Sequence, residues 1–208
     1  MSSPTAPEDI VNQALVRLGF DRRIGNLYEG SPAAEAAIEV YAQTRDEALR
    51  ANDYGFAERN LSLTMLKVAP ASGYIPPTVW SPTYPPIPWM FEYNYPSDCL
   101  KIRSIKAAPL WIPNFDPQPN SFAVINDTSY SPAQKTICCN VTGAILTYTG
   151  QVTDMSTWEP LFVEVLVAKL AERLAPRIAV LTQEKLAEQK LDADLALHSV
   201  NEATTERG

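Results

Sequence analysis

Twelve of the chain's 18 prolines lie between Pro70 and Pro119, a window that also holds three of its four tryptophans. Proline has no backbone N–H to donate, so it is confined to edges, turns and the first turn of helices. Regular helix and central strand are therefore excluded from much of this window. Amphipathic helical patterns flank it on both sides. The layout predicts an α+β fold, a helical bundle built from the N- and C-terminal segments plus a central antiparallel β sheet or partial barrel. The expected domains are a discontinuous helical one, 1–57 with 152–208, and a Pro- and aromatic-rich β one, 58–151.

Thr5-Ala-Pro-Glu8 reads as a capping box with Pro inside the first turn. Ile10, Ala14, Leu15 and Leu18 then recur at helical spacing, and Gly19 closes the helix. After a connector with Ile24, Leu27 and Tyr28, Ser31-Pro32 starts a second helix. Its inward stripe is read as Ala33/Ala34, Ala37, Tyr41, Thr44, Ala48 and Leu49, and Asn52–Gly55 ends it.

Leu61–Val68 alternates as one strand would. Trp89, Phe91, Tyr93 and Tyr95 share a second strand's face, with Met90, Glu92 and Asn94 on the other. A turn at Pro96-Ser-Asp98 predicts that Leu100, Ile102 and Ile105 lie on its partner strand. Further strands are expected at 121–125, 135–141 and 144–149, with turns at Asn126-Asp127 and Thr142-Gly143.

Ser156-Thr-Trp-Glu159 is a second capping box, with Pro160 still in the first turn. In the helix that follows, Val163, Leu166, Val167, Leu170, Ala171 and Leu174 fill one core-facing arc. Leu161, Phe162, Val165 and Ala168 lie on the opposite half, among charges. A helix apolar on two sides needs two partner surfaces, so this second set is assigned to a contact between subunits. Pro176 should kink or break the helix. A thinner stripe of Val180, Ala187, Leu191 and Leu195 then lets it resume across 177–203.

The formal charge is −7, which argues against a specific nucleic-acid binder but suits a surface that lets DNA slide past. The polar, acidic start reads as lacking a signal peptide, and the run 161–175 is broken by Glu164, Lys169, Glu172 and Arg173, so no membrane span is expected. Three cysteines, two of them adjacent, do not form a disulfide framework, which predicts a reducing cytosol as the place of synthesis.

Catalytic patterns are missing. The single histidine, His198, sits near the end of a charged helical segment, and there is no Gly-x-Ser-x-Gly. Cys99, Cys138 and Cys139 lack zinc spacing, and the eight glycines form no phosphate-binding loop. Neither enzyme activity nor a cofactor is expected. The aromatic run from Tyr74 to Tyr95 admits three readings: core, protein contact, or carbohydrate platform. Arg22-Arg23 is read as solvated or ion-paired, with a DNA contact as the alternative.

Three blocks carry a family likeness: Ala14-Leu-Val-Arg-Leu-Gly19 through Leu27, with 36–49 and Arg50-Ala-Asn-Asp-Tyr-Gly-Phe56; Tyr95-Pro-Ser-Asp-Cys-Leu-Lys-Ile-Arg-Ser-Ile105; and Leu146-Thr-Tyr-Thr-Gly150 with Trp158-Glu-Pro-Leu-Phe162 and the helix to Ala175. On these the chain resembles the tail tubular protein A family, the head-to-tail adaptors of short-tailed bacteriophages. It departs in having Asp53-Tyr-Gly-Phe56 where the family is richer in Trp, and in a longer Pro-rich stretch at 70–90. The resemblance implies a virion structural protein of the tail or neck, made in the host's cytoplasm. It implies a twelve-subunit ring that joins the portal protein to the tail nozzle protein and passes genomic DNA without sequence-specific binding. No cofactor and no membrane are implied, and whether tail fibres attach stays open. Within that frame Leu191, Leu195 and His198 are expected at the portal, and Trp80, Tyr84 and Trp111 at the tail side or a neighbouring subunit. Two alternatives are a neck or head-completion protein of a long-tailed phage, and a carbohydrate-binding or hydrolytic tail module.

Overall fold

Local capping chemistry sets the helix starts. In the computed structural model, which describes residues 6–20, 23–71, 80–107, 119–178 and 190–197, helix α1 spans Pro7–Arg17. Its N-cap is Ala6, whose N–H donates to Asp9 Oδ2 at 3.0 Å. The reciprocal half of a capping box needs a side-chain acceptor that alanine lacks, so the expected Thr5–Glu8 box gives way to one residue pair further on. The predicted stop is present: Gly19 takes φ +78, Phe20 N–H donates to Leu15 O and Gly19 N–H to Val16 O. That double bond is the Schellman arrangement, which glycine adopts without a Cβ penalty. The connector is then clamped by Asn12, whose side chain donates to Ile24 O and accepts from Ile24 N–H.

Helix α2 spans Pro32–Ala51, with Ser31 Oγ accepting from Ala34 N–H. Its buried face is Ala34, Ala36, Ala37, Val40, Tyr41, Thr44, Ala48 and Leu49. The predicted stripe thus widens by Ala36 and Val40. Thr44 is buried because its hydroxyl donates to Val40 O at 2.7 Å, satisfying itself within the helix.

The long C-terminal helix starts later than its sequence signature. Asp154 caps a short 3₁₀ turn, Met155–Thr157, by accepting from Ser156 N–H, and α3 spans Pro160–Ile178. Pro160 therefore opens the helix, where its missing N–H removes nothing. Pro176 does not break it: the helix carries on to Ile178 with Pro176 inside it, short of the one hydrogen bond that its missing N–H would have made. Residues 190–197 are helical as well, and Val180, Ala187 and His198 lie outside the described residues.

The chain forms two compact units, residues 1–57 with 151–208, and residues 58–150. In the first, α3 packs against both α1 and α2. Arg173 pairs with Glu47, and Arg177 with Glu39, tying α3 to α2 through their polar flanks.

The second unit holds two antiparallel sheets, so the overall class is α+β. The first sheet has the order β1 (Glu58–Ser62), β7 (Ala144–Gly150), β4 (Cys99–Ala107). The other has the order β2 (Met65–Val68), β3 (Phe91–Asn94), β6 (Gln134–Cys139), β5 (Phe122–Asp127). The strand expected at Leu61–Val68 is thus two strands in different sheets. The chain changes sheet at buried Leu63, whose N–H donates to Ala144 O, beside Thr64, whose carbonyl accepts from Asn94 N–H. Likewise β3 and β4 do not form a hairpin around Pro96-Ser-Asp98. Strand β3 pairs with β2 and β6, and β4 pairs with β7. Asp127 is the last residue of β5, and the turn falls beyond it, not on it. Tyr93, Ile105, Ile137, Cys139, Leu146 and Tyr148, drawn from both sheets, form one shared core.

Candidate functional site

The apolar set on the far side of α3 tests the subunit-contact reading directly. Phe162, Val165 and Ala168 are each 0% exposed within their own chain. This corrects their assignment to an interface between subunits. The helix does need two partner surfaces, and α1 and α2 supply both. Phe162 completes an aromatic cluster, with ring centroids 5.2 Å from Tyr54, 5.3 Å from Phe56 and 5.0 Å from Trp158, all edge-on. Edge-to-face rings at this separation attract beyond their buried area. The Asp53-Tyr-Gly-Phe56 segment therefore seals the start of α3. Leu161 is the exception at 39% exposed.

Helix 190–197 has the opposite character. Leu191 and Leu195, four apart and so on one face, are 60% and 59% exposed, whereas Ala193 is buried. Leu197, four residues past Ala193 and so on its face, is half-buried, which leaves Leu191 and Leu195 as an apolar pair on the exposed side. His198, assigned to the same surface, lies outside the described residues.

The Pro-rich loop before β3 carries the aromatic candidates. Trp80 is exposed and its indole N–H donates to Pro85 O at 2.9 Å. Tyr84 is half-buried, and its N–H donates to Ser81 O. Ile87 is also exposed. Backbone bonds inside the loop hold this shape, so it presents Trp80 and Ile87 as fixed side chains. Trp111 lies outside the described residues.

On the outer face of the four-stranded sheet, charge is buried. Lys67 (β2) is paired with Asp127 (β5), and its ammonium also donates to Pro82 O at 2.9 Å and Ser129 Oγ at 2.8 Å. Glu92 (β3), 0% exposed, brings a carboxyl oxygen to 3.6 Å from the same nitrogen. Both Glu92 oxygens and Thr136 Oγ1 are enclosed, and the polar side chains beside Glu92 are those of Thr136 and Asp127. Burial, helped by neighbouring Asp127, raises the Glu92 carboxyl above its ordinary range and outweighs the opposing Thr136 hydroxyl and Lys67 ammonium. Asp127 is lowered to about 2, where its hydrogen bonds from Lys67 and Ser129 overcome its own burial. Neighbouring Cys138 is pushed up to about 12 by burial, so its thiol is inert, unlike a reactive thiolate. Sequence reading missed this cluster. The available signal was Glu92 alternating against an aromatic face and a lysine inside a short apolar strand.

An open cleft of about 670 Å³ is lined by Tyr95, Ser97, Tyr130, Gln134 and Lys135 among others. Lys135 Nζ sits 3.8 Å from the Tyr95 ring centroid, and Lys67 Nζ lies 5.0 Å from that of Tyr130. Each ring thus has a cation over one face, where a sugar would otherwise stack. Among the described residues no group of three His, Cys, Asp or Glu could hold a metal, and no helix is long and apolar enough to cross a membrane. No protein-family model matches the chain, and no curated protein matches it.

Proposed function

We propose that the chain is the structural subunit of a bacteriophage head-to-tail adaptor, a ring that joins the portal to the tail nozzle and conducts DNA. The observation that carries this reading is the outward Leu191/Leu195 stripe opposite buried Ala193. A helix oriented this way is a docking element, because exposed leucines at helical spacing gain about 1.5–3 kcal/mol each only when a partner covers them. In this reading the partner is the portal, and the fixed Trp80 loop meets the tail side. The two-unit α+β build and the acidic surface agree with the sequence likeness. Contacts around the ring then fall to side chains that the chain leaves uncovered, such as Leu161, and not to the enclosed core of α3.

The test is the double variant Leu191→Asp/Leu195→Asp. Both positions are exposed, so folding should survive, with stability within about 0.5 kcal/mol of wild type. Mixed with portal, wild-type protein should form a ring of defined symmetry in electron images, and the variant should not attach. Normal attachment of the folded variant would remove helix 190–197 from the interface. Failure of wild-type protein to attach to its portal would remove the adaptor reading itself.

A further inference from the structure

One ammonium joins four segments of the β unit. Lys67 extends from β2, and its three N–H groups are all used, on Asp127 of β5, Ser129 of the turn after β5, and Pro82 of the Pro-rich loop. None is left for Glu92 of β3, 3.6 Å away and fully enclosed. The groups that face Glu92 are Lys67, Asp127, and Thr136 and Cys138 of β6, while Tyr130 lies over the Lys67 ammonium.

We propose that this cluster is a proton-operated latch on the Trp80–Pro88 loop: with Glu92 protonated, Lys67 holds the Pro82 carbonyl and the loop is closed, and with Glu92 ionised, the ammonium turns to it and the loop is released. The inference is independent of the adaptor reading.

Charge balance gives the reason. With Glu92 neutral, the enclosed Lys67–Asp127 pair is compensated. Ionised, Glu92 is an enclosed carboxylate whose one hydroxyl neighbour, Thr136, can donate but cannot neutralise its charge, which is unfavourable. The nearest relief is one N–H of Lys67. Of its three acceptors, Asp127 is charged and holds hardest. Ser129 is kept in place separately, since its own N–H donates to Asp127 Oδ1 at 2.8 Å. The Pro82 carbonyl belongs to an exposed loop, and water can replace the lysine there. It is therefore the contact that yields. Asp127, Lys67 and Cys138 are all shifted away from neutrality in the directions that hold their charge states fixed. Glu92 is the member of the cluster left to titrate between them.

The experiment is NMR on the full chain across pH. It follows the Trp80 indole and Tyr84 amide signals together with the Glu92 side-chain carboxyl carbon. The expected result is one shared transition, with its midpoint above the ordinary glutamate value of 4.5. Glu92→Gln should abolish it and leave the loop signals at their low-pH positions. Lys67→Met should hold them at their high-pH positions throughout. The proposal is overturned if Glu92 titrates while the loop signals stay still, if its midpoint is at or below 4.5, or if Glu92→Gln keeps the transition. The wild-type titration alone decides the matter should either variant fail to fold.

Discussion

Phe162→Ala separates an enclosed helix from a shared one. The ring is 0% exposed and meets Tyr54, Phe56 and Trp158 edge-on. Truncation therefore leaves a cavity and removes three aromatic contacts, and Phe→Ala at such a site costs about 3–5 kcal/mol. In a chain of this size that lowers Tm by roughly 6–20 °C. The neighbour Leu161, 39% exposed, is the internal control. Leu161→Ala should cost about 1 kcal/mol or less, since much of its side chain already meets water. Urea unfolding followed by circular dichroism and by tryptophan emission reads both, and Trp158 places a reporter 5.0 Å from the altered ring. A stable, monomeric Phe162→Ala protein that has lost only self-association would refute the reasoning and return Phe162 to an interface between copies.

Three further outcomes follow from local chemistry. Ser31→Ala removes the acceptor for Ala34 N–H and should destabilise the helical unit by about 1 kcal/mol in thermal unfolding. Gly143→Ala forces a Cβ into φ +61 at the turn before β7 and should cost roughly 1–2 kcal/mol, read the same way. Asp127, lowered from 3.8 to about 2, adds stability that is complete above pH 3.8 and lost as pH falls through 2. Stability measured in steps from pH 5 to pH 2 should therefore fall less steeply in Asp127→Asn than in wild type.

Much short-range chemistry was legible, although both capping boxes and the Asn126-Asp127 turn fell a few residues off, and pairing across the sheets was not. Ser31 before Pro32, Gly19 after Leu18 and Thr142-Gly143 fix their turns with two or three adjacent atoms, and those elements are where the sequence put them. Leu61–Val68 keeps its alternation while its halves join different sheets, because side-chain period reports which face is apolar and not which strand lies alongside. The same limit misled the reading of α3. A two-sided apolar helix proves that two covers exist. Whether the second is α1 of the same chain or a neighbouring copy depends on tertiary geometry that periodicity does not hold. Lys67, Glu92 and Asp127 are 25 and 35 positions apart in sequence, and only the β2-β3-β6-β5 order gathers them.

Charge placement constrains how copies could assemble. Residues 58–150 hold five acidic and six basic side chains, so that unit is +1 and the helical unit carries −8 of the chain's −7. Copies that set helical units side by side therefore bring like charge together, and salt should help them by shrinking the screening length from about 10 Å at 0.1 M to about 3 Å at 1 M. A contact that instead seats the acidic helical unit on the β unit, whose formal charge is +1, avoids that repulsion and should not need salt to form. Ring contacts through the helical units, as in the adaptor reading, predict the first behaviour. Sedimentation velocity of the purified protein across that salt range measures it. Self-association that dissolves with added salt would refute the side-by-side arrangement, and would place the joint between unlike units of successive copies.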